Sequence, residues 1–163
     1  MTSNQRSAFR VFLGFMTRAT VLHVLTYMVV GAFSYRFIAR YLWEGPILLP
    51  GMRDIQSPAV QMMILPAQIV RGILIALALF PIRRFVMESK QLGWLIIASI
   101  LLLIGSFAGI SGQIEVWVYT TGFNLRLFLA HLPEIIIQSI LFGYLLLAWE
   151  RRADFKYSIR ASA

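Results

Sequence analysis

The stretch from Ser57 to Pro81, SPAVQMMILPAQIVRGILIALALFP, decides the fold. A Ser–Pro pair stands where a helix N-cap and first helical residue belong. The apolar run that follows, Ala59 to Phe80, has the ~20 residues needed to cross ~30 Å of hydrocarbon as a helix, and Pro81 closes it. The chain has 163 residues, 59% of them in the apolar set and 13% charged. A water-soluble domain of that size cannot hide so much apolar surface, so lipid is the expected solvent.

Three more runs share this character: Ala19 to Ala39, Leu92 to Ile110 and Leu125 to Ala148. With their connections they use up the chain, predicting one all-α integral membrane domain over residues 1–163 with four transmembrane helices in a bundle. The first run follows Arg6, Arg10 and Arg18, a layout shared with signal peptides, but it is long for such a segment and no small-x-small cleavage site follows it. Phe9, Phe12, Leu13 and Met16 fall at helical spacing, which predicts an interfacial lead-in helix or a longer first span.

Orientation comes from Lys and Arg in the flanks. Arg6, Arg10, Arg18, Arg83, Arg84, Lys90, Arg151, Arg152, Lys156 and Arg160 lie on one side, and Arg36, Arg40, Arg53 and Arg126 on the other. The positive-inside rule then places both termini in the cytoplasm. Trp94 and Trp149 mark the inner interface, and Trp43 and Trp117 the outer one, in a plasma or inner membrane. The net charge of +8 is explained by these flanks, so no nucleic-acid partner is implied. Of the two outer connections, 43–56 reads as lying on the bilayer surface. The other, 113–119, reads as an extended segment or a continuation of the third helix.

The chemistry available is narrow. No cysteine is present, which removes thiol catalysis and thiolate ligation, and no phosphate loop, HExxH or GxSxG motif occurs. No metal site is expected. What stands out is polar residues inside apolar runs: His23, Thr26, Tyr27 and Ser34 on the first, Gln61, Gln68 and Arg71 on the second, Ser99 and Ser106 on the third, with Gln113 beyond it. The fourth contains His131, Pro133, Glu134 and Gln138. A charge at mid-membrane costs ~2.5–3.5 kcal/mol even on the lenient insertion scale, which predicts that Arg71 pairs with a carboxylate. At 1.5 Å per residue, Glu134 lies roughly 15 Å in from Asn124 and Arg71 roughly 20 Å in from Pro58. That arithmetic makes Arg71 and Glu134 a pair, with Gln68, Gln138 and His131 completing a network.

Such a network serves either as a lock between the second and fourth helices or as a ligand or proton site, to which Pro66 and Pro133 add kinks at similar depth. Alternatively Pro133 opens the fourth span and puts Glu134 at its first turn, where the helix dipole favours a carboxylate. Two histidines raise the question of haem, but His23 and His131 are offset by about 13 Å along the bundle axis. A cofactor is therefore not expected. Gly105 and Gly109 form a GxxxG element, read as helix packing within the protomer, with a dimer seam as its rival.

With no catalytic constellation, the leading expectation is a binding or accessory module, either a subunit of a membrane complex or a ligand sensor. Its partners would be the bilayer and other subunits or further copies of itself. An oligomeric solute or proton-coupled transporter is the alternative. A lipid- or quinone-linked enzyme using His131 and Glu134 ranks third.

Overall fold

The computed structural model describes residues 3–34, 36–37, 57–89, 92–103 and 125–162; side chains are described from residue 8 in the first helix and over 132–154 in the last. Among the described residues every regular element is helical. Helix α1 runs Ser3–Ser34, α2 Pro58–Leu79, α3 Arg83–Glu88, α4 Gly93–Leu102 and α5 Leu125–Ser162. Three helical segments are long and apolar enough to cross a membrane, namely Ala8–Ser34, Pro58–Glu88 and Leu132–Asp154, while Gly93–Leu102 is apolar but shorter.

Local signals account for several of these boundaries. Ser57 is the N-cap of α2, its Oγ accepting from the Val60 N–H at 3.4 Å, and Pro58 takes the first helical position, where its missing N–H is harmless. Pro81 forces the chain into a 3-10 turn, Phe80–Ile82, before α3. The lead-in around Phe9 is continuous with the first span, so the longer-span reading holds and no separate interfacial helix forms. Its inward face is Phe15, Ala19 and Leu22, whereas Phe9 and Leu13 point outward. Pro133 lies inside α5, eight residues from its start, while the candidate membrane span on that helix begins at Leu132. Gly105, Gly109, Ser106, Gln113 and both outer connections lie outside the described residues.

The helices alternate in direction. α1 packs against α2 on one flank and α5 on the other, and α4 packs against α5. One core joins them: Phe15, Ala19 and Leu22 of α1, Ala76 and Leu79 of α2, Val86 of α3, Ile97 of α4, and Phe142, Leu146 and Leu147 of α5. Phe80 closes one side edge-on to Phe12, their centroids 4.9 Å apart. Two glycines set helix separations. A Cβ on Gly143 would stand 2.5 Å from the Trp94 carbonyl oxygen, and one on Gly72 would stand 3.0 Å from Thr20 Cα. Neighbouring backbones approach closely there because no side chain intervenes.

The core is lopsided. Its members gather at the end where α1 begins, α2 turns into α3, and α5 carries Arg151 and Arg152, hereafter the basic end. Toward the opposite end burial fades. On α2 the buried residues are Gln68, Gly72, Ala76 and Leu79, with no buried residue from Pro58 to Ala67.

Candidate functional site

Polar side chains meet at three levels along the bundle. At the basic end Glu150 of α5, 1% exposed, takes a guanidinium on each oxygen. Arg18 Nε of α1 donates to Oε1, and Arg83 Nε of α3 donates to Oε2 at 2.7 Å. Arg83 Nη2 also donates to Asp154 Oδ1 at 2.5 Å. A buried carboxylate is tolerated when its lone pairs are filled and its charge opposed, and this one clamps three helices. A cavity of about 10 Å³ lies beside it, lined by Phe15, Leu79, Val86, Ile97, Leu146 and others. That is about the room of a single water molecule, too little for a substrate.

In the middle, His23 Nε2 lies 3.1 Å from Gln68 Oε1, both side chains buried. The ring thus spends one nitrogen on the amide oxygen. Phe142 stands edge-on to the ring at 6.1 Å and Tyr27 tilts beside it at 6.4 Å. Thr26 satisfies itself by donating to the Leu22 carbonyl at 2.8 Å, the usual resort of a helical threonine. At the third level Ser34 Oγ donates to Glu134 Oε2 at 2.6 Å, and Gly31 lies beside the other carboxylate oxygen.

These contacts fix helix registers. Arg18 to Ser34 on α1 and Glu134 to Glu150 on α5 are both sixteen residues, so the two helices run antiparallel in step for about 24 Å. On the other flank Gln68 meets His23 and Gly72 abuts Thr20, which puts Arg71 level with about Val21.

The expected Arg71–Glu134 pair is therefore not formed. Glu134 sits at the Ser34 level, thirteen residues from Val21, leaving about 20 Å of axial offset. The depth arithmetic failed because it took the starts of α2 and α5 as level. Pro58 falls near the level of Glu134 itself, whereas Leu125 lies nine residues, about 13 Å, beyond it. Arg71 is exposed and makes no ion pair among the described residues. Gln68 is built into the middle level, Gln138 is half-buried on α5, and the His131 side chain lies outside the described residues.

The sequence reading passed over Glu150 and Asp154, and counted Arg18 and Arg83 only as flanking charges. One signal was available: Ser139, Phe142, Leu146 and Glu150 recur at three- and four-residue steps, the buried stripe of a helix, and all four are buried. Among the described residues no group of three potential ligands could hold a metal ion. Comparison with models of protein families, with curated proteins and with solved structures finds no match for this chain.

Proposed function

We propose that the chain is a four-span membrane module that works by binding, as an accessory subunit of a membrane assembly. Its third span completes beyond the short helix α4, and both termini face the cytoplasm in a plasma or inner membrane. The four apolar runs support the span count, and the excess of Lys and Arg at the basic end supports the orientation. The observation that carries the binding reading is the half-empty α2. From Pro58 to Ala67 this helix buries no residue, while the basic end is closely packed and its buried carboxylate is fully committed. A rigid base with an uncovered span beside it is the form of a module completed by something else in the membrane.

Arg71, Glu134, His131, Gln68 and Gln138 remain the proposed network residues. Solubilisation from the protein's own membranes in mild detergent, followed by native mass spectrometry, tests this reading. A different polypeptide bound in fixed ratio is expected. A self-assembled oligomer without such a partner would favour the transporter reading, and a bound quinone or lipid substrate would favour the enzyme reading.

A further inference from the structure

We propose that the face of α2 carrying Arg71 docks a transmembrane helix of a partner protein, one that presents a carboxylate at the depth of Arg71. This rests on the accessory reading and names the chemistry of its partner. The span formed by α2 and its continuation to Glu88 is the most apolar and the least buried of the three candidate spans. Arg71 sits near its middle with its side chain exposed. An arginine in hydrocarbon needs an opposite charge or a ring of acceptors.

The acids among the described residues do not supply it. Glu150 lies within about 5 Å of the right level but is buried and holds two arginines. Glu134 is a full half-membrane away and engaged by Ser34. A second copy inserted in the same orientation presents these same acids at these same depths, so among the described residues self-association brings no carboxylate to Arg71.

Lipid headgroups fit poorly for a directional reason. Side chains on a helix lean toward its N-terminus, and the N-terminus of α2 is the end away from the basic end. That lean carries the guanidinium away from the nearer headgroup layer, and the farther layer is about 20 Å off along α2, beyond an arginine side chain. On the same stripe, exposed Ala67 and Ala78 flank Arg71 with Leu74 between. Small residues on both sides let a second helix approach closely enough for a carboxylate to meet the guanidinium.

The test uses the full chain in phosphatidylcholine vesicles with synthetic single-span Leu/Ala peptides bearing Glu, Gln or Lys at the centre, association being read by energy transfer. Wild type is expected to bind the Glu peptide roughly tenfold more tightly than the Gln peptide, the scale of an interhelical polar contact in lipid. Arg71→Gln should lose that preference and Arg71→Glu should prefer the Lys peptide; since Arg71 is exposed, neither change should unfold the bundle. Equal binding of all three peptides would overturn the inference. So would a preference that survives Arg71→Gln, or one that disappears when phosphatidylglycerol replaces part of the phosphatidylcholine. A natural partner that co-purifies equally with wild type and Arg71→Gln would overturn this inference and leave the accessory reading standing. A chain found alone in its own membranes would overturn the accessory reading even if the peptide preference held.

Discussion

Arg18 of α1 donates to Glu150 of α5 sixteen residues, on both helices, from the hydrogen bond between Ser34 and Glu134. Equal spacing on both helices means that neither slides against the other, and the contacts bracket an apolar stretch about 24 Å long. Polar groups placed near both ends of two antiparallel helices define register where apolar packing alone leaves it loose, because slippage by one residue would strand both carboxylates.

The clamp at the basic end should dominate stability. Glu150→Leu strands Arg18 and leaves Arg83 with Asp154 alone, and removing one partner from a buried ion pair costs about 3–5 kcal/mol. Arg18→Leu leaves Glu150 with Arg83 and should cost less. Glu150→Gln, which keeps an acceptor oxygen, should fall between Glu150→Leu and wild type. Melting temperatures in a single detergent would rank them; Glu150→Leu melting like wild type would contradict the clamp.

Helix separations predict a graded pair. Gly143→Ala puts a methyl 2.5 Å from a backbone oxygen of α4, so helices must part, at a cost of about 1–3 kcal/mol. Gly72→Ala meets Thr20 at 3.0 Å and should be milder. Melts showing Gly72→Ala as the worse change would mean that α1 and α2, not α4 and α5, form the tighter contact.

Much of this was legible in the residues. The Ser57–Pro58 start and Pro81 stop of α2 are local signals, set by capping and by a missing N–H, and local signals need no knowledge of partners. Polar residues in apolar runs flagged His23, Gln68, Ser34 and Glu134. What the sequence withheld was which of them meet. Pairing depends on the relative heights of helices, and α5 begins about 13 Å beyond the start of α2, an offset no single helix reveals. Glu150 escaped notice because Trp149-Glu150-Arg151-Arg152 reads as a solvated flank, although the stripe through Phe142 and Leu146 points it inward.

A double-mutant cycle separates the observed pairing from the one depth arithmetic suggests. Ser34→Ala with Glu134→Leu should show coupling of about 0.5–2 kcal/mol, the range for an interhelical hydrogen bond in lipid. Arg71→Leu with Glu134→Leu should be additive within about 0.5 kcal/mol, as for side chains that do not meet. Strong coupling in the second cycle, with stability partly recovered in the double variant, would restore the direct ion pair.

Orientation is tested at the chain's end. A reporter active only in the cytoplasm, fused after Ala163, should give signal, because Arg83, Arg84, Arg151 and Arg152 mark that side. Signal instead from a reporter active only across the membrane would invert the topology.

Everything above depends on the register of α1 and α2 against α5, and the absence of native cysteine makes it directly measurable. Cysteines introduced in place of Ser34 and Glu134 should be joined in native membranes by a short bifunctional thiol reagent, since the original side chains meet at 2.6 Å and the reagent replaces the length that the glutamate loses. Cysteines in place of Arg71 and Glu134, about 20 Å apart along the axis, should not be joined by the same reagent within the protomer. Efficient cross-linking of the second pair within one chain, with failure of the first, would contradict the register and with it the levels, the clamp's companion contact and the isolation of Arg71.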